Sequence, residues 1–440
     1  MMNTTATDLP PMPGDVLLDS RLKGFAAHAP PTWRSRIGER QWNVLNGDLP
    51  FPLAVLSQSA LTHNLDWMHQ FASSRALSFA PHGKTSMSPE LFARQRAAGI
   101  WGMTVATLHQ LGVAVRSGER RLIIANQLVS SADFDGLSHW LNHTPDLSVW
   151  FLVDSLAQVD LIEAWAAKRN ALGRKFQVLL EVGIEGKRTG TREHAQAMLL
   201  ARRIAASDVI AVHGIECYEG GLATCNHTHD REGTDALMQR VCALMVDCAA
   251  EQLFAAGEVL LTAGGTALFD LVADRLHPAL PADLGERMRP VLRSGCYIAH
   301  DHGFYNRLLR CVGERIRLDV TLLPALEVWA MVQSCPEPGL ALLTAGRRDI
   351  SYDIELPMPV RRAQIGDTKP RAVPDDWRVT SLNDHHTYLT YDPAGPAPAP
   401  MPGELVALGI SHPCTTFDKW QWMPIVSDDY RVVDAITTYF

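Results

Sequence analysis

Residues 176–217, FQVLLEVGIEGKRTGTREHAQAMLLARRIAASDVIAVHGIEC, place one apolar run (176–182) and a second (209–217) at the two ends of an alanine- and leucine-rich periodic stretch, 191–207. Strands joined by a connection this long lie parallel, and the connection has the length and period of a helix packed on the face of the sheet. The segment reads as a βαβ unit. Outward from it the pattern repeats: apolar or β-branched runs fall at 77–80, 102–106, 122–125, 147–153, 259–263 and 289–292, which with the first two make eight. Amphipathic stretches fill the gaps. Ser88-Pro89 offers an N-cap and a proline at the first helical position, Gly99 stops that helix, and 235–253 is a further long periodic helix. An open doubly wound sheet is the alternative, but eight βα units favour closure into a (β/α)8 barrel, an α/β fold.

After residue 305 the texture changes to strand-like runs at 315–322, 326–333, 340–344 and 405–410 with no long helix between them, which predicts a separate β domain. A proline-rich stretch, 393–402, suits a stiff surface loop and not the interior of a sheet. The run 52–56 precedes the barrel count. The expected organisation is therefore an amino-terminal arm and strand packing with the β domain (1–56), a barrel (57–305) and the β domain itself (306–440).

Composition narrows the function. The chain has 440 residues, 20% charged, with a formal net charge of -8, which argues against electrostatic binding of nucleic acid or an anionic membrane. A small-molecule substrate fits better. Residues 1–14 show neither a basic nor an apolar leader region, and no later run predicts a membrane span, so the expected location is cytoplasmic. The cysteines, Cys217, Cys225, Cys242, Cys248, Cys296, Cys311, Cys335 and Cys414, are scattered without a CxxC, as in a reducing compartment, and most are expected to be small core residues.

In a barrel of this kind, chemistry comes from the carboxyl ends of the strands. Lys84, in PHGKT (81–85), follows the first strand in a loop a ligand can reach, where a lysine can form a Schiff base; taken alone, it reads more readily as an ordinary surface lysine. The fifth strand runs into Lys187-Arg188-Thr189-Gly190 and the sixth into Tyr218-Glu219-Gly220-Gly221. The seventh leads at once into Gly264-Gly265-Thr266 and a helix, which reads as an anion cradle, and the eighth into Gly295-Cys296, a second loop of amides. Both could be plain turns taken singly. Together, a Schiff-base lysine, an arginine, a tyrosine and two phosphate loops are what pyridoxal phosphate requires of a protein. Downstream, His412-Pro413-Cys414 puts imidazole and thiolate two residues apart; on a strand both would project from one face and could share a metal. Residues 225–229, CNHTH, are metal-capable as well, but a polar loop explains them more simply.

These pieces, PHGKT (81–85), EVGIEGKRTG (181–190), HGIECYEGG (213–221), AGGT (263–266), LRSGCYIAHD (292–301), NDHH (383–386) and SHPCTT (411–416), resemble the D-threonine aldolase and D-serine dehydratase family, whose barrel is related to that of alanine racemase. The likeness covers most of residues 50–440. It implies that Lys84 holds pyridoxal phosphate, that Gly264, Gly265, Thr266, Gly295 and Cys296 line its phosphate, that Arg188 lies by the ring or its phenolic oxygen, and that Tyr218 partners the ring nitrogen. It further implies a homodimer, and a metal on His412 and Cys414, with His386 as a substrate contact. Thiolate with imidazole favours zinc. The His-x-Cys pair resembles the dehydratase branch, so the expected reaction is zinc-assisted α,β-elimination from a D-3-hydroxyamino acid, D-serine first, then D-threonine. The alternatives are a D-threonine or 3-hydroxy-D-aspartate aldolase and a non-catalytic pyridoxal-phosphate homeostasis protein. Gly83, Ala263 and residues 346–349 depart from the family pattern.

Overall fold

The computed structural model of the protein describes residues 14–169, 173–280, 282–318 and 321–440, so the first 13 residues of the expected amino-terminal arm lie outside the described residues. Eight strands form one parallel sheet: β1 (Ser78–Phe79), β2 (Met103–Val105), β3 (Arg121–Gln127), β4 (Ser148–Val153), β5 (Phe176–Val182), β6 (Ile210–Cys217), β7 (Val259–Ala263) and β8 (Met288–Leu292). Their order is β1-β8-β7-β6-β5-β4-β3-β2, and every pairing is parallel. Trp101 N donates to Phe79 O at 2.8 Å and Thr104 N to Pro81 O at 2.9 Å, with a parallel bridge between His82 and Thr104. Those contacts join the two ends of the sheet and close the barrel, which excludes the open doubly wound sheet.

Each strand divides its side chains between two cores, as the two-residue period of a strand requires. Ile123, Trp150, Leu152, Leu179, Leu260 and Val291 form a small interior cluster, while their strand neighbours Leu122, Ile124, Phe151, Leu180 and Leu261 join the larger core. The helices begin where capping residues stand. Ser88 Oγ accepts from Leu91 N at 3.4 Å at the head of the helix Pro89–Ala97, and Gly99 follows its end with φ +85°, both as the sequence predicts.

The β domain is built on the strand Leu326–Glu337, which pairs antiparallel with Leu405–Gly409, Leu340–Leu343 and Leu53–Ser57. Leu53–Ser57 also pairs with Trp422–Val426, so the chain enters this sheet first and crosses into the barrel through the helix Gln58–Ser73. One expectation fails. Where a strand was expected over 315–322, residues 315 and 316 end the helix Phe304–Ile316, which follows β8 and is closed by Arg317 at φ +57°, and residues 321 and 322 are in no strand; 319–320 lie outside the described residues. The helix's buried Leu308, Leu309 and Val312 recur at helical spacing, a period the strand reading overlooked.

Asn64 fastens the first barrel helix from within. Fully buried, it donates to Ile298 O at 3.0 Å and Leu323 O at 2.8 Å and accepts from Leu323 N at 2.7 Å. Asn64→Ala would leave those backbone groups unpaired at a cost of about 3 kcal/mol. Thermal unfolding of the variant should begin several degrees lower.

Candidate active site

The carboxyl ends of the strands open into one pocket, and Lys84, Arg188, Tyr218, Gly264, Gly265, Thr266, Gly295, Cys296, His412 and Cys414 all line it. Lys84 stands exposed in the short 3-10 turn Gly83–Thr85 after β1. The glycine before it has a steric reason: a Cβ at Gly83 would lie 2.7 Å from Met103 Sδ and 3.0 Å from the Phe92 ring. Arg188 projects over the Tyr218 ring, its guanidinium carbon 5.2 Å from the centroid. Gly295 packs against His82, with room for no side chain, since a Cβ there would come within 2.6 Å of His82 O.

The Gly264-Gly265 loop is held in an unexpected way. The buried carboxyl group of Glu219 accepts from Gly264 N at 3.1 Å and Gly265 N at 2.5 Å, so these two amides already have a partner, and Glu219 braces the loop. Beneath it Arg293, only 6% exposed, pairs with Glu216 and donates to Cys217 O at 2.8 Å. Burial, together with Glu181 and Glu219 and against Arg293, pushes Glu216 up to about 7. Burial also holds His82 well below its ordinary value, reinforced by Lys84, Arg293 and Arg188, so its ring is neutral. His82 Nδ1 and Arg293 Nε are buried without hydrogen-bond partners. Unpaired buried nitrogens at a pocket wall suit a polar ligand.

At the other side of the pocket the β domain supplies the donor pair, though not from a strand. The strand Leu405–Gly409 ends first, and Cys414 opens the short helix Cys414–Phe417, so the same-face argument does not apply; the turn itself brings His412 and Cys414 together. His412 Nδ1 hydrogen-bonds Asp353 Oδ2 at 2.6 Å, and Thr415 Oγ1 donates to Asp353 Oδ1 at 2.7 Å. This fixes the ring, which also hydrogen-bonds Cys414, in the carboxylate–histidine arrangement common behind metal ligands. Burial opposes charge on His412, but Cys414 and Asp353 lift it to about 9. Cys296 first, then His412, hold the Cys414 thiol well below its usual value against burial. Among the described residues no three His, Cys, Asp or Glu side chains are gathered as a metal site.

His386 is not brought into the pocket. It lies in the turn between the strands Arg378–Leu382 and Thr387–Thr390, where its carbonyl accepts from Asn383 N at 2.9 Å. Residues 225–229 begin a helix instead of gathering ligands: Asn226 caps His227–Ala250, and His227 pairs with Glu314 at 3.0 Å. Conversely, the sequence assigns no role to Asp353, Glu219, Arg293 or Tyr305. Tyr305, from the helix after β8, lines the pocket with its ring 6.2 Å from that of His412. Glu219 and Arg293 lie inside two of the quoted motifs; Asp353 and Tyr305 carry no local signature.

Asp353→Asn should weaken metal binding about 10- to 100-fold while leaving both donors in place. Metal content after dialysis against graded chelator checks this.

Residues 56–272 match the family described as Alanine racemase, N-terminal domain, and residues 325–426 the family described as Putative serine dehydratase domain. The chain is 27% identical over 352 residues to the D-threo-3-hydroxyaspartate dehydratase of Delftia sp. (strain HT23), an alignment covering 78% of this chain and 83% of the relative. The solved structure of that dehydratase superimposes with a TM-score of 0.69 at 21% identity, covering 91% of this chain and 99% of the other. A cysteine-to-alanine variant of it has been solved in a metal-free form. The D-threonine aldolase of Filomicrobium marinum superimposes with a TM-score of 0.71 at 22% identity, covering 89% of this chain and 95% of that one. An alanine racemase of Clostridium difficile 630 shares the fold with a TM-score of 0.60 at 12% identity, covering 88% and 98% of the two chains.

Proposed function

The chain belongs to the D-threonine aldolase and D-serine dehydratase family of pyridoxal-phosphate enzymes, and within it we propose a metal-assisted dehydratase that removes water from a D-3-hydroxyamino acid. One observation carries the reading: an accessible lysine and a histidine–cysteine pair, from two different domains, face the same pocket. Elimination needs both a base at the α-carbon and help for a hydroxide leaving the β-carbon.

Pyridoxal phosphate, when bound, supplies the electron sink that makes the α-hydrogen acidic. The residues fit it. Lys84 Nζ is the covalent anchor and the group that takes the α-proton. Thr266, next to the Gly264-Gly265 turn that Glu219 braces, and the Gly295-Cys296 loop would hold the phosphate, and Arg188 with the Arg293–Glu216 pair would meet the polar groups of the ring. A divalent metal supplies a Lewis acid for the β-hydroxyl, and His412 Nε2 with Cys414 Sγ would hold it. The thiolate–imidazole set favours zinc. Loss of the α-proton and the β-hydroxide gives an enamine, which hydrolyses to a 2-oxo acid and ammonia.

Incubation with pyridoxal phosphate and D-serine, D-threonine, D-threo-3-hydroxyaspartate or L-serine tests this. Pyruvate, 2-oxobutyrate or oxaloacetate with ammonia is expected from the D-substrates, falling about 100-fold on chelation and returning with zinc. Glycine and acetaldehyde from D-threonine would overturn the dehydratase reading.

A further inference from the structure

We propose that Cys296 and Cys414 form a modification site for hydroperoxides, which oxidise the pair to a disulfide and so disarm the metal end of the pocket. The two sulfurs lie 3.7 Å apart, and Thr85 Oγ1 touches both, at 3.8 Å from Cys296 and 3.4 Å from Cys414. They come from different domains: Cys296 opens the turn Cys296–Ile298 after β8, and Cys414 opens Cys414–Phe417 of the β domain. Both line the pocket, so a small oxidant reaches them by the route a substrate uses. A disulfide bond requires the sulfurs to close by about 1.6 Å.

The chemistry balances with a hydroperoxide as oxidant. Cys414 Sγ attacks the distal peroxide oxygen, the O–O bond breaks, and the alcohol leaves, or water when the oxidant is hydrogen peroxide, with Cys414 now a sulfenic acid. Cys296 Sγ then displaces hydroxide from that sulfur, and its own proton leaves with the hydroxide as water. Two thiols and one peroxide give one disulfide, one alcohol and one water, with the sulfur pair oxidised by two electrons.

The consequences follow from position. A disulfide removes the thiolate from the His412–Cys414 pair and ties the Gly295-Cys296 loop to the β domain. A metal on Cys414 engages the same lone pair and shields it. The effect on turnover rests on the dehydratase reading; formation of the bond does not.

Other cysteines differ. Cys217 and Cys248 are buried against Met238 and Met198, with sulfurs 3.7 Å and 3.8 Å apart. Cys225 and Cys311 form a second sulfur contact, outside the pocket lining.

The test is peptide mapping of full-length protein, stripped of metal and treated with stoichiometric hydrogen peroxide. A Cys296–Cys414 linkage is expected, with an intact mass lower by about 2 Da, reversed by dithiothreitol. Zinc added beforehand should slow it at least tenfold. In Cys296→Ser the linkage is absent and Cys414 proceeds irreversibly to the sulfinic acid. Wild-type protein in which Cys414 is oxidised without the linkage, or in which only Cys225 and Cys311 join, overturns the proposal. If the linkage forms and no D-3-hydroxyamino acid is dehydrated, the pair stands and the dehydratase reading falls.

Discussion

Lys84→Ala should lower turnover of every substrate by about 10,000-fold and abolish the near-visible absorbance of covalently held pyridoxal phosphate. Two roles end together in this variant, the anchor and the base. Among the described residues Lys84 is the only lysine lining the pocket, and Lys187, in the loop after β5, does not reach the lining. The fold should survive. The Lys84 side chain is exposed and makes no ion pair among the described residues, and the turn Gly83–Thr85 closes through backbone bonds such as Met87 N to Gly83 O at 3.0 Å. Circular dichroism of the variant should match the parent while its absorbance band is gone. A retained band would show that another residue holds the cofactor.

The barrel was legible because its strands are apolar runs of fixed length between helices with ordinary caps, and the residues next to each strand's carboxyl end fall in one pocket by geometry alone. Where the period was ambiguous the reading failed. The segment Phe304–Ile316 has its apolar residues at helical spacing, but the charged residues around Arg315 broke the pattern and a strand was expected just beyond. His412 and Cys414 show the reverse. On a strand the two side chains would share a face, yet a turn brings them together, and Asp353, 59 positions earlier, orients the histidine. No local sequence signal joins residues that far apart. Glu219 illustrates a third limit: a glycine pair marks a loop with open amides, but which anion takes them depends on a carboxylate 45 positions away. His386 belongs to a histidine-bearing hairpin turn, and identity alone could not place it.

Cys414→Ala should separate the metal from the cofactor. Turnover is expected to fall about 100- to 1,000-fold while the cofactor's absorbance persists, because Cys414 serves the departing hydroxide and not the anchor. The double treatment is the sharper measurement. Chelation lowers the parent enzyme; if Cys414 acts only through the metal, chelation of the variant should lower it little further, since groups acting as one unit give non-additive losses. His412→Ala should fall into the same set, and Asp353→Asn should lie between, recovering as zinc is raised because its two donors remain. Full activity of Cys414→Ala after exhaustive chelation would remove the metal from the mechanism. Cys296, Thr85 and Tyr305 would then have to help the β-hydroxyl leave. The Tyr305 phenol, which burial pushes far above its ordinary value, could do so only as a neutral hydrogen-bond donor. The metal is the stronger reading because a weak neutral donor offers little to a leaving hydroxide, whereas a metal held by Cys414 and by His412, fixed by Asp353, would supply a Lewis acid there.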